Sequence, residues 1–218
     1  WYCDQMDAND GFDKALPDDP LKGFRSRNRT RLKPYGPWAV IAPFNFPFAL
    51  AGGPLGAALV AGNTVVFKVA SDTAWSGRLL MDAFLDAGLP EGAVNYLTGA
   101  GSVVGDALVR HPEVAGATFT GSYEVGMGIV RAFAQGAWPR PCIAEMGGKN
   151  PAIVSRHADL DRAAIGIMRS AFGLQGQKCS ACSRIIVEAP VKDKLAQKLV
   201  DLTNKLGIGD PTDRSVYL

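Results

Sequence analysis

The chain has little that would staple it, anchor it or hold it to a charged partner. Its four cysteines (Cys3, Cys142, Cys179, Cys182) are too few and too unevenly spaced for a disulfide scaffold in 218 residues. A reducing setting, the cytoplasm, is expected. Only two histidines are present, His111 and His157, and they lie far apart in sequence. The net charge of +2 offers no broad field for nucleic acid or an anionic membrane. The opening stretch from Trp1 to Pro20 is acidic and polar, unlike a secretory signal. No internal repeat or low-complexity segment stands out. What remains, 47% apolar and 20% charged residues, is ordinary globular composition.

One long run has no charge at all: "WAVIAPFNFPFALAGGPLGAALVAGNTVVF", from Trp38 to Phe67. Its length would fit a membrane span. Pro43, Pro47, Pro54, the Gly52-Gly53 pair and Asn63 break it into short pieces. The expected reading is a buried strand, a turn, a buried helix and a second strand, with no membrane involved.

Residues 1–24 are rich in turn formers and expected to be loosely structured. In "RSRNRTRLK", Arg25, Arg27, Arg29, Arg31 and Lys33 recur at every second position, which puts all five on one face of a strand. Such a ribbon suits phosphate, but no aromatics interleave for base stacking. A solvated hairpin arm whose charges block edge-to-edge association is the preferred reading. From Pro37 onward, short apolar runs alternate with amphipathic ones. Strands are expected at 39–42, 64–68, 93–97, 116–120, 142–146 and 152–155, with helices near 46–61, 73–87, 102–111 and 123–135. That alternation predicts an α/β fold, an open parallel sheet with helices on both faces. A helix near 160–172, a strand at 184–188 and a helix near 191–206 follow. A composition shift near Glu145–Pro151 divides the chain into an N-terminal segment (1–33), a first domain (34–146) and the start of a second α/β domain (147–218). The last has only about 70 residues, small for a stable core, and the chain is expected to be a fragment.

Ligands of open parallel sheets bind beyond the carboxyl ends of the strands. There the sequence places Pro43, Phe44 and Asn45, then Lys68 and Ser71, then "GAGSVVG" with Gly101 and Gly105. Thr120, Gly121 and Ser122 follow, and last Glu145, Met146 and Gly147. The spacing in "GAGSVVG" is one residue too long for the usual dinucleotide fingerprint. "GSYEVG" has Met127 where a P-loop needs Lys. Either loop can still turn backbone N–H groups towards a phosphate.

"GQKCSACSR", residues 176–184, admits three readings. A structural zinc site needs four ligands, and no second pair is near in sequence. A redox pair normally opens a helix after an early strand. A single nucleophilic cysteine needs activation, a base and an oxyanion donor. Lys178 adjoins Cys179, Glu145 ends an expected strand beside two glycines, and Asn45 carries a side-chain amide.

Five motifs together resemble the aldehyde dehydrogenase family: "APFNFP" (42–47), "GNTVVFKVAS" (62–71), "FTGSYEVG" (119–126), "EMGGKNP" (145–151) and "GQKCSA" (176–181). They stand in the family's order and spacing. "EMGGK" and "GQKCSA" look most like the branch that oxidises glutamate semialdehyde, the open form of 1-pyrroline-5-carboxylate. The resemblance implies Cys179 as nucleophile, Glu145 as the base that activates water, and Asn45 with the Cys179 N–H as oxyanion donors. It implies NAD as cofactor, with Lys68 on the adenosine ribose and Gly121 and Ser122 on the pyrophosphate. Pro43, Phe44, Ser71, Gly101, Gly105, Thr120, Met146 and Gly147 would line that site. Phe46, Phe48 and Ser180 would meet a small aldehyde substrate. Ser71 stands where many NAD-preferring members carry Glu, which leaves NADP possible. The family continues beyond the last motif here. The expectations are therefore a homo-oligomer when full length and an inactive chain in isolation. The alternative is a truncated relic that binds nucleotide or a partner without turnover.

Overall fold

The computed structural model describes residues 1–19, 22–23 and 25–218. The chain forms two compact units, Trp1–Met146 and Gly147–Leu218.

The first unit is built on five parallel strands: β3 (Trp38–Ile41), β4 (Val65–Lys68), β5 (Val94–Leu97), β6 (Gly116–Gly121) and β7 (Cys142–Met146). Their spatial order is β5-β4-β3-β6-β7. Side chains alternate across the pleat, so each strand feeds two cores. Trp38 and Val40 of β3 and Val65 and Phe67 of β4 pack with α2 (Ala49–Val60) and α3 (Ala74–Asp86). Ala39 and Ile41 of β3, with Ala117 and Phe119 of β6, pack with α4 (Asp106–Arg110) and α5 (Tyr123–Ala134). Both faces of the sheet are covered, as the alternation of elements predicts.

The uncharged run resolves as expected, into β3, a turn, α2 and β4. Among the described residues no helix is long and apolar enough to cross a membrane. Asn63 accounts for the break before β4. Its buried side chain accepts from the Tyr35 and Gly36 N–H groups at 2.8 and 3.2 Å and donates to the Ala58 carbonyl at 3.2 Å.

The N-terminal segment is more ordered than its composition predicts. It forms α1 (Tyr2–Ala8), a short 3-10 turn and β1 (Asp13–Ala15), which pairs antiparallel with β2 (Arg29–Arg31). Pro20, Leu21 and Phe24 lie outside the described residues. The basic ribbon is a strand for only three residues. Arg29 and Arg31 both pair with Asp13, whose one carboxylate offsets one of their two charges.

The second unit packs α6 (Leu160–Phe172) and α7 (Lys192–Thr203) on a parallel pair, β8 (Asn150–Val154) and β9 (Cys182–Val187). Its core gathers Val154, Ala164, Ile167 and Leu195. Asp159 caps α6 by accepting from the Asp161 and Arg162 N–H groups.

Candidate active site

The order of the first sheet fixes where a ligand can bind. From β3 the chain steps outward to β4 and β5, then returns to the other side of β3 to lay down β6 and β7. The carboxyl ends of β3 and β6 therefore flank the topological switch point, where connecting segments depart in opposite directions and leave a crevice. Pro43, Phe44 and Asn45 leave β3 there. Thr120 and Gly121 end β6. Lys68 lies beside Ile41 in the ladder, and Glu145 and Met146 lie beside Thr120 and Gly121. One edge of one sheet carries them all.

Lys68 is the most unusual of these. It is 5% exposed and its Nζ donates to the Val69 carbonyl at 2.8 Å. Burial lowers its ammonium pKa from 10.5. A buried cation at the mouth of the switch point is a costly feature that an anionic or hydroxyl-rich ligand would offset. Ser71 is exposed just beyond it and donates to the Gly99 carbonyl at 3.4 Å, tying the loop after β4 to the loop after β5.

The loop after β5 explains its own spacing. Gly99 sits at φ +132°, and a Cβ there would come within 2.6 Å of Val104. Gly101–Gly105 forms a single π turn that runs into α4. A π turn takes one residue more than an α turn, so it absorbs the residue by which "GAGSVVG" exceeds the usual fingerprint. At the end of β6, Ser122 is the N-cap of α5 and accepts from the Val125 N–H at 3.4 Å. Gly121 permits the Phe119 ring to lie against it, since a Cβ there would stand 2.5 Å from the ring. Met146 faces the second core, and its sulfur would be 2.3 Å from a Cβ on Gly126. Met146 is half-buried against that core, while Glu145, next to it on β7, is exposed.

Asn45 is half-buried, with exposed Phe44 and Phe46 on either side. Phe46 adopts a left-handed φ of 50°, and Phe48 is likewise exposed. Gly147, at φ +58°, opens the second unit.

Cys179 belongs to the second unit. After α6 the backbone passes through Leu174, Gln175 and Gly176, all at left-handed φ of 57°, 51° and 69°. It then closes a turn over Lys178–Ala181, in which the Ala181 N–H donates to the Lys178 carbonyl at 3.2 Å. Cys179 is half-buried and Ser180 exposed within that turn. Cys182 has a different setting: it opens β9, its thiol donates to the Arg184 carbonyl at 3.3 Å, and it packs on the core of the second unit. All four cysteines are free thiols.

Two residues gain weight only in three dimensions. The Asn150 amide donates to the Cys179 carbonyl at 2.6 Å, and a Cβ on Gly148 would fall 1.9 Å from that same oxygen. The Gly-Gly pair was the only sequence signal for this contact.

The aldehyde dehydrogenase family model matches residues 1–218. A 1-pyrroline-5-carboxylate dehydrogenase of Geobacillus thermodenitrificans is 45% identical over 88% of this chain and 38% of its own length. A 1-pyrroline-5-carboxylate dehydrogenase from Thermus, solved with bound NAD, superposes with a TM-score of 0.81 at 39% identity, over 85% of this chain and 36% of that one. An NADP-dependent glyceraldehyde-3-phosphate dehydrogenase from Bacillus halodurans, solved with NADP, gives 0.84 at 39% identity, over 94% and 43%. The chain thus spans well under half the length of these relatives.

Proposed function

This chain belongs to the aldehyde dehydrogenase family, and on that footing we propose that it carries the dinucleotide site and the nucleophile of an enzyme oxidising an aldehyde to a carboxylic acid. The observation that carries the reading is the convergence of Asn45, Lys68, Gly121 and Glu145 at the carboxyl edge of one parallel sheet.

The residues present fit a nicotinamide dinucleotide. The buried Lys68 ammonium can donate to ribose hydroxyls. The α5 N-terminus, with Gly121 and Ser122, turns N–H groups towards a pyrophosphate. Pro43, Phe44, Thr120, Gly101, Gly105, Met146 and Gly147 complete the segments around it. Ser71 puts no carboxylate against a 2′-phosphate, so NAD and NADP both remain compatible. When bound, the dinucleotide supplies a hydride acceptor.

In this reading Cys179 attacks the aldehyde carbon as thiolate. The oxyanion accepts hydrogen bonds from the Asn45 side chain and the Cys179 N–H. After oxidation the acyl group is a thioester on Cys179. Glu145 removes a proton from water, which adds to the thioester and frees the carboxylic acid and the thiol. Phe46, Phe48 and Ser180 are the substrate-facing side chains. The similarity to 1-pyrroline-5-carboxylate dehydrogenases supports glutamate semialdehyde as the substrate.

The test is kinetic and uses the full-length protein with NAD and with NADP. Cys179→Ala abolishes both phases of turnover. Glu145→Gln retains a burst of reduced cofactor and loses steady-state turnover by about a hundredfold or more. Unchanged aldehyde oxidation in Cys179→Ala would sink the assignment.

A further inference from the structure

We propose that Asn150, seated above Gly148, locks the central peptide of the turn that carries Cys179, and so acts as a positioning residue for the nucleophile. The proposal rests on the reading of Cys179 given above.

Cys179 and Ser180 are the middle residues of the Lys178–Ala181 turn. In such a turn the weak point is the peptide between the two central residues. Types I and II differ by a flip of that unit, which changes ψ of the first central residue by about 150°. Here the unit consists of the Cys179 carbonyl and the Ser180 N–H. Its flip would swing both away from their present directions, and a loosened unit also frees φ of Cys179, the rotation that turns its side chain relative to its own N–H. The thiolate and that N–H must address the same carbonyl group.

The structure restrains this unit at its oxygen. The Asn150 amide donates to it at 2.6 Å. Asn150 is held in turn by β8, where it pairs in register with Cys182 of β9. The Ser183 hydroxyl donates to the Asn150 carbonyl at 3.5 Å. Gly148 makes the approach possible, because any Cβ there would occupy the space of the Cys179 oxygen. On the other side the loop has reason to move. Leu174 and Gln175 hold left-handed backbone without being glycine, a conformation that crowds Cβ against the following carbonyl oxygen. With a strained approach on one flank, the Asn150 amide is the side-chain contact that grips the Cys179 carbonyl itself.

Acylation of Cys179 by p-nitrophenyl acetate passes through an oxyanion, whereas alkylation by iodoacetamide does not. The two rates therefore separate geometry from mere loss of thiol or of fold. Asn150→Asp keeps the shape and removes the donors; Asn150→Ala removes the group. In the full-length protein each slows acylation about tenfold or more and leaves alkylation of Cys179, normalised to the exposed Cys3, within about twofold. Aldehyde turnover falls in kcat with dinucleotide affinity unchanged. Gly148→Ala reproduces the acylation defect where it folds; the two Asn150 variants, at an exposed position, carry the test if it does not. Wild-type acylation in both Asn150 variants, or acylation and alkylation falling in step, overturns the lock. Acylation that survives in Cys179→Ala overturns the nucleophile assignment instead.

Discussion

At the scale of the residue, side chains of ordinary type owe their character to place. Lys68 is a buried ammonium at the end of β4, and burial depresses its pKa. Its unfolded form binds a proton more tightly than its folded form. The ligand-free protein therefore gains stability as pH rises through the lowered value towards 10.5, and carries the cost of the buried charge below it. Lys68→Met should raise the melting temperature of the ligand-free chain at pH 7. It should also weaken dinucleotide binding by about tenfold to a hundredfold, the worth of a hydrogen bond from a charged donor. Calorimetric melting and a binding titration on the same variant check both. A variant that loses stability without losing affinity would remove Lys68 from the site. Cys179 and Cys182 show the same lesson. Their spacing is that of a redox or metal pair, but one sits in a turn and the other opens a strand with its thiol on a carbonyl.

At the scale of the element, ends and connections matter more than helix and strand interiors. The π turn at Gly101–Gly105 reconciles a glycine loop with a spacing that sequence templates reject. In the second unit the parallel pair β8 and β9 is clasped at its far end. The Arg156 N–H and guanidinium both donate to the Glu188 carboxylate, and the Glu188 N–H donates to the Val154 carbonyl at 3.1 Å. Arg156 holds the Glu188 carboxyl below its ordinary 4.5, through side-chain and then backbone hydrogen bonds. That contribution is present above pH 4.5 and is lost as pH falls through the lowered value. Glu188→Gln should flatten the acid limb of the melting curve and cause a small, salt-sensitive loss of stability at pH 7. An unchanged acid limb would show that the clasp contributes nothing measurable.

At the scale of the whole molecule, the chain is two units with separate cores, and the proposed chemistry draws on both: Asn45 and Glu145 from one, Cys179 from the other. Dinucleotide at a hundred times its Kd should stabilise the state that binds it by about 2.7 kcal/mol. Hydrogen exchange should slow most in Trp1–Met146, at the ends of β3, β4 and β6. Protection confined to Gly147–Leu218 would contradict the placement of the site. Much of this was legible in the sequence. Alternating apolar runs fix β3 to β7 and their helices, because burial on both faces selects short apolar strands and one-sided helices. Ordered motifs put forward Asn45, Lys68, Glu145 and Cys179 as the candidates on which the proposed site rests, because chemistry restricts residue type. The order in β1 was not legible, since it comes with its pairing to β2, where Asp13 meets Arg29 and Arg31, rather than from local propensity. Nor were the burial of Lys68 and the grip of Asn150 on the Cys179 carbonyl. Both depend on atoms brought close by strands and turns distant in sequence. A sequence pattern determines which residue types are available and which face of an element they share. Which carbonyl a given amide reaches, and which charge loses its water, only the packed chain decides.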